Sequence, residues 1–524
     1  VHVSEEWPQG WAESWIQAPG LAIHRGRQAD QTHQHAELIA PLRDDAADAH
    51  RIRGLRDAMF AGNKVNPSEG RAAGHWALRL AAAQGSDPHL AVTRFAPDGE
   101  DLIPRMTRVH AQTRELATRI RSAMLTGDAG RPYRHIIHLG IGGSDLGPRL
   151  LIEALQSTPA NAPIDAAFLS NLDYHAVQHC LAARDPRETL VVIASKSFTT
   201  QETLINAAHL RQWMLGGGVR HPQHQMIAIT NRTDRAAQWE IPDEQILWFD
   251  ESIGGRFSLW GPVSLTSRIV LGNAVVDRFI EGGIAMDRHF TGSHPLTHNL
   301  PAVLAVTDFF NLRSRQLPTL MVSPYDSRLA LLVPYLKQLW MESLGKQVDA
   351  QGRPIEGPAC PILWGDVGTN AQHAFFQLLH QGQQGVAVEL IGVVSPEHEA
   401  HHSHHALLAN LVAQAQALST GLSSGDPQRD CRGGHPVNLV MLDRCDAYCL
   451  GSLIALWEHR VVCLAALTGI NPFDQWGVEL GKSIAHDALK ALSESHDASH
   501  EALDSTSRGI IAWLRSTAPG PPEP

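Results

Sequence analysis

Short apolar, β-branched runs, each closed by Gly or Ser and followed by a helical pattern, recur in two separate stretches of the chain. The first stretch holds RHIIHLG, ETLVVIAS and HQMIAIT; the second holds LPTLMVS, CPILWG and GVAVELIGVV. An apolar run without alternation suits a strand buried on both faces, and the intervening helices supply the cover. The chain is therefore expected to be α/β, with two doubly wound parallel-sheet domains. The first hundred residues, including HAELIAPLRDDAADAHRIRGLRDAMFAG, show helical spacing and no convincing strand, which predicts a helical N-terminal segment packed on the α/β body. Expected boundaries are 1–100 for that segment, 101–295 and 296–490 for the two α/β domains, and 491–524 for a C-terminal helix and tail. The tail from about residue 516, STAPGPPEP, is too rich in Pro and Gly to pack and reads as disordered.

Charge narrows the classes of partner. With 43 basic and 54 acidic residues the net charge is −11, which argues against nucleic acid or an anionic membrane as the main partner. An anionic ligand must then be held by local groups. Cys180, Cys360, Cys431, Cys445, Cys449 and Cys463 are too sparse for a disulfide framework and contain no CxxC pair, which fits a reducing cytoplasm. Cys445 and Cys449 are spaced to share a helix face, but without further ligands nearby they read as buried apolar residues rather than a metal site. The run His398, His401, His402, His404 and His405 likewise lacks the spacing of a defined metal site and reads as a solvated surface. No apolar run has the length of a membrane span, and the first residues, VHVSEEWPQGWAESW, lack a signal pattern.

Several stretches carry candidate chemistry. HIIHLGIGGSDLGPRLL, residues 135–151, is a strand, a glycine-rich turn and a helix start: Gly140, Gly142 and Gly143 allow close backbone approach, and Ser144 lies where free N–H groups face an anion. A tight turn needing glycine for geometry alone is the plainer reading. LVVIASKSFTTQETL, residues 190–204, repeats the theme with Ser195, Lys196, Ser197, Thr199 and Thr200, a set suited to cradling phosphate without metal. A simple helix cap would need one hydroxyl. Two such turns at neighbouring strand ends would converge on one crevice. In IGGRFSLWGP, Arg256 follows two glycines and could stabilise an oxyanion, or form a structural ion pair. WGDVGTNAQHAFFQLLHQG predicts a helix capped by Thr369 or Asn370 and stopped by Gly382, with His373, Gln377 and His380 on one face. In NPFDQWGVELGKSIA, Gln475 and Lys482 stand seven apart, two helical turns, unless the helix merely presents a solvated face. YLKQLWMESLGKQV places Glu342 among Leu336, Leu339, Trp340 and Met341 with no basic residue one turn before it, and Gln338 lies one turn earlier on the same face.

These motifs, in this order, resemble the glucose-6-phosphate isomerase family. GIGGSDLGP, SKSFTTQET, GGRFSLW, MESLGK, GTNAQHAFFQLLHQG and NPFDQWGVELGK carry the resemblance, KVNPSEGRAAGHWALR near residue 70 is similar to its N-terminal signature, and the likeness spans roughly residues 50–490. It implies two sugar-isomerase domains and an aldose–ketose isomerase of glycolysis and gluconeogenesis that interconverts glucose 6-phosphate and fructose 6-phosphate through a cis-enediol, without metal or organic cofactor. Glu342 would be the base, made more basic by desolvation beside Leu and Trp. Arg256 would stabilise the enediolate. His380 and Lys482 would open the sugar ring, with His380 reaching the site from the partner subunit of a homodimer. Gly143, Ser144, Ser195, Lys196, Ser197 and Thr200 would bind the phosphate end, while Gln338 positions the substrate and Gln475 and Glu202 line the pocket. Leu344 and Ser197 depart from the commonest family pattern, and Ser197 keeps the hydroxyl. A phosphosugar-binding regulator without turnover, or an isomerase acting also on mannose 6-phosphate, would share the cradle.

Overall fold

Residues 15–27, 39–84, 94–128, 130–156, 164–493 and 503–517 are described by the computed structural model. Its strands are β1 (Trp15–Ala18), β2 (Leu21–Arg27), β3 (His135–Leu139), β4 (Asp165–Leu169), β5 (Thr189–Ala194), β6 (Met226–Thr230), β7 (Ile246–Trp248), β8 (Thr319–Pro324), β9 (Ile362–Trp364), β10 (Ala387–Val393) and β11 (Val437–Leu442). One sheet has the order β4-β3-β5-β6-β7 and is parallel throughout. The other has the order β1-β2-β11-β10-β8-β9, parallel from β11 to β9. In β5 and β10 every residue is buried, as expected for strands covered on both faces. The α/β architecture with parallel sheets is thus as expected.

The first hundred residues differ from expectation. They hold the helices Ala47–Phe60 and His75–Gln84, but also a β-hairpin, β1 with β2, that adds antiparallel to β11. Its Pro19–Gly20 turn packs on the helix Ala447–Thr468: Ser452 Oγ donates to the Pro19 carbonyl at 2.6 Å, and Gly20 has φ +73°. Runs this short become strands because a partner over 400 residues away satisfies their backbone, which no local pattern reveals.

Residues up to Phe473 form one compact unit and a second begins at Asp474. The second contains the helices Glu479–Ser493 and Ser505–Thr517. Ser516 and Thr517 close the last helix, and the rest of the tail expected to be disordered lies outside the described residues.

The helix Ala447–Thr468 is the axis of the first unit's core. It is long and apolar enough to cross a membrane, contrary to the expectation from apolar runs, yet its apolar window is wholly buried inside the protein. It also carries Glu458, His459 and Arg460, all buried. Arg79 donates to Asp287 at 2.6 and 2.7 Å and to Glu458 at 2.6 Å, while Trp260 donates to Glu458 at 2.7 Å. Burial pushes the Glu458 carboxyl up to about 7 against the pull of Arg79. Arg460 donates to both oxygens of Asp308, at 2.6 and 2.7 Å, and to Glu389 in the middle of β10 at 2.8 Å. Cys445 and Cys449 are buried free thiols, pushed up to about 12 by burial, and act as packing groups at this helix's start.

Removing Arg460 leaves two carboxylates buried without their cation. Arg460→Leu is expected to lower stability by about 3–5 kcal/mol, seen as a lower urea midpoint. An unchanged midpoint would show that neither Asp308 nor Glu389 depends on the guanidinium.

Candidate functional site

β3 and β5 are adjacent, so the turns that leave them are neighbours at one edge of the first sheet. After β3 the chain turns through Gly140–Gly142 into the helix Gly143–Leu155. Gly142 has φ +60°, and a Cβ there would lie 2.6 Å from Gln338 Nε2. On Gly143 a Cβ would meet the Gly255 carbonyl at 2.0 Å. Glycine is required because the turn is pressed against two other parts of the chain. Ser144 sits in the first helical turn, and its carbonyl accepts from His138 Nε2 at 2.7 Å. Since a carbonyl can only accept, Nε2 carries the proton and Nδ1 accepts from Thr266 Oγ1 at 2.8 Å. Burial lowers the His138 pKa to about 4, so the imidazole stays neutral and holds the turn as a fixed strut.

The second turn, Ser195–Thr200, runs from β5 into the helix Gln201–Gly216. Ser195 Oγ and Thr200 Oγ1 lie 3.1 Å apart, and Ser197 Oγ and Thr199 Oγ1 2.7 Å apart. Thr200 occupies the N-cap position but its side chain makes no capping bond. That disfavours the plain capping reading. Phe198, at φ +50°, is buried and anchors the loop in the first sheet's core. Lys196 does not point its ammonium among these hydroxyls. Its Nζ donates to the carbonyls of Glu251 and Ile253 at 2.9 and 2.8 Å. Burial, then the nearby Arg71 guanidinium, lower its pKa to about 8. Glu202 lies half-buried in the first turn of the following helix.

Glu342 is the third component. It lies on the helix Leu332–Leu344, whose Leu336, Leu339 and Trp340 are buried. Gln338, expected on the same face, donates through Nε2 to Oε2 at 2.8 Å, and the basic partner that no neighbouring turn supplies is Arg256, whose Nη1 is 3.2 Å from Oε1. The guanidinium comes from 86 positions earlier, beyond the reach of helical spacing. Arg256 itself is fully enclosed. Its Nε donates to Ser343 Oγ at 2.6 Å and its Nη2 to the Pro472 carbonyl at 2.6 Å. Glu342 keeps 22% of its side chain exposed, so one side is open to a ligand. A carboxylate acceptor beside a fixed, buried cation is an arrangement in which a proton can be removed and the resulting oxyanion stabilised. Ser343 and the Pro472 carbonyl escaped sequence reasoning. The serine follows Glu342 in the chain, but only the fold reveals that it braces the arginine.

The remaining candidates lie on other elements. The segment expected as one helix from residue 370 is a 3-10 turn, Asn370–His373, then a separate helix, Phe376–Gln381, and Thr369 makes no side-chain cap. His373 therefore does not share a helix face with Gln377 and His380. The Phe375 backbone, at φ −140° and ψ −1°, breaks the register between two aromatic residues that pack. Gly382 ends the helix as expected. His380 is half-buried, with Nε2 2.9 Å from Gln414 Oε1. Gln475 and Lys482 belong to the unit that begins at Asp474. Gln475 precedes a 3-10 turn, Trp476–Val478, and the helix starts only at Glu479, so the two-turn spacing does not apply. Lys482 is exposed and paired with Glu479 at 2.8 Å. In the histidine run, His404 is not solvated as expected: it is buried, with Nε2 3.1 Å from the Val394 carbonyl. That bond pins the helix His401–Thr420 to the end of β10.

With this geometry in place, comparison with known proteins is informative. The model of the family described as phosphoglucose isomerase matches residues 30–511. A glucose-6-phosphate isomerase from Rhizorhabdus wittichii is 42% identical over 474 residues, 90% of each chain. One from Caulobacter vibrioides is 38% identical over 520 residues, 95% of this chain and 93% of that one. The crystal structure of a glucose-6-phosphate isomerase from Chlamydia trachomatis superimposes with a TM-score of 0.83 at 27% identity, covering 98% of this chain and 95% of that one. The chain belongs to the phosphoglucose isomerase family.

Proposed function

We propose that this chain is an aldose–ketose isomerase that interconverts glucose 6-phosphate and fructose 6-phosphate. The observation that carries the reading is the Glu342–Arg256 pair, a partly open carboxylate 3.2 Å from a buried guanidinium. The nearby hydroxyl-bearing turns support a phosphate grip by Ser144, Ser195, Ser197 and Thr200. Hydroxyls and helix N-termini hold an anion without a metal. Glu342 removes the C2 proton of the open-chain aldose, the electrons move onto the C1 oxygen, and the same carboxylate returns the proton to C1 after a proton shifts between the oxygens. Arg256 stabilises the enediolate charge, and Gln338 orients both the carboxylate and the sugar. His380 and Lys482 serve ring opening, His380 from the partner subunit of a homodimer. The contact of His380 with Gln414, rather than with the Glu342 group, is compatible with service to another subunit's site. Six free thiols support a reducing compartment, the cytoplasm.

Glu342→Gln is expected to lower kcat by about 10²-fold or more while binding of a non-isomerised sugar phosphate persists. A fructose-6-phosphate-coupled assay reads this directly, and a fully active variant would remove Glu342 from the role of base. Binding of glucose 6-phosphate by the wild type with no turnover would favour a regulator instead. Subunit sharing has its own test. Mixed dimers of Glu342→Gln with His380→Ala would regain about one wild-type site per dimer if His380 crosses between subunits, as symmetry requires. Both sites would stay dead if each chain completed its own.

A further inference from the structure

The phosphate turn and the arginine turn are joined by one side chain. Lys196 lies between the hydroxyls Ser195 and Ser197, yet its ammonium donates to the carbonyls of Glu251 and Ile253 at 2.9 and 2.8 Å. Ile253 immediately precedes Gly254 and Gly255, and Arg256 follows. The Gly255 carbonyl is the group against which Gly143 of the other turn is pressed. The loop also has other braces, with Asp250 accepting from the Ser252 backbone at 2.7 Å within it and the Gly74 N–H donating to the Ser252 carbonyl at 3.1 Å from outside it. Lys196 is therefore not needed to make a loop there. What it adds is a charge-assisted link between this loop and the turn from β5.

We infer that Lys196 is a positioning residue, whose ammonium transmits the placement of the phosphate-binding turn to Arg256 instead of gripping phosphate itself. This rests on the isomerase reading above and extends it. With phosphate held at the Ser195–Thr200 turn, Lys196 ties that backbone to the Glu251 and Ile253 carbonyls ahead of Gly254 and Gly255. Ser343 and the Pro472 carbonyl then receive a guanidinium already in register. Glu69, Arg71, Asp250 and Glu251 are the charged groups around the ammonium, and burial, then Arg71, lower its pKa to about 8.

The test separates grip from placement. Lys196→Met is expected to lower kcat at least tenfold, while the inhibition constant of inorganic phosphate, competing with glucose 6-phosphate, changes by less than about threefold. A tenfold weaker phosphate inhibition with kcat retained would overturn the inference. A double-mutant cycle with Arg256→Lys should show that Lys196→Met costs little once the arginine is gone, because coupled residues are not additive. Additive losses would also overturn it. Should the Met variant not fold, Lys196→Gln, which keeps N–H donors but loses the charge, is to be compared in the same two assays: the inference requires the phosphate constant to hold while kcat falls, and retained kcat or the opposite split refutes it. Wild-type protein that yields no fructose 6-phosphate would refute the isomerase reading instead, so the two failures are distinguishable.

Discussion

Arg460 is a guanidinium with no solvent exposure, and much of the first unit is arranged around it. It reaches Asp308 on the helix Leu300–Arg313 and Glu389 at the centre of β10, and it lies 4.2 Å from the Trp457 ring and 5.3 Å from the Trp340 ring. Burying a charge is costly unless geometry and hydrogen bonds offset the desolvation. Here both carboxylates are pushed upward by burial and held partly in check by the same cation. Such a cluster tolerates few alternative packings. It fixes the second sheet, the central helix and the helix that bears Glu342 in one arrangement, because Trp340 is two residues before Glu342 and stacks edge-on against Trp457.

The site uses the same logic with a different outcome. Arg256 is as deeply enclosed as Arg460, but its carboxylate partner is partly open. Two of its donors are committed to Ser343 and the Pro472 carbonyl, groups that do not ionise under working conditions. These neutral partners hold the guanidinium directly, and its charge remains available to Glu342 and to whatever negative charge forms beside it. Preorganised donors of this kind need no rearrangement when charge develops.

Legibility followed the range of the interactions. The parallel strands could be read because burial on both faces writes a local apolar run, as in TLVVIA of β5 and AVELIGV of β10. The glycine-rich turn and the hydroxyl turn could be read for the same reason: backbone freedom and donor groups are concentrated within a few residues. The hairpin of β1 and β2 could not, because β2 is held by β11, about 400 residues away, and β1 pairs in turn on β2. Glu342 stood out in its apolar helix, but its ion-pair partner lies 86 residues earlier and periodicity says nothing about it. The turn that carries Lys196 could be read, but not that its ammonium reaches the Glu251 and Ile253 carbonyls, since composition cannot show which way a long, flexible side chain points. Helical spacing failed at His373 and at Gln475 where 3-10 turns interrupt the segment.

A chain with net charge −11 that acts on a phosphorylated sugar must attract an anion against its own field, and the choice of donors bears on rate as well as affinity. The phosphate group has the same charge in the substrate and in the enediolate, so anything that grips it favours both equally and lowers KM without accelerating the step. Hydroxyls and helix N-termini suffice for that. The oxyanion, by contrast, exists only along the reaction path, and a permanent cation is best placed there. Arg256 faces Glu342 and Lys196 faces backbone carbonyls, so the charges serve partners other than the hydroxyls of the Ser195–Thr200 turn. In the proposed reaction the two tasks fall to different chemistry: neutral donors on the first sheet's turns hold the substrate, and a buried guanidinium is reserved for the charge that proton transfer creates.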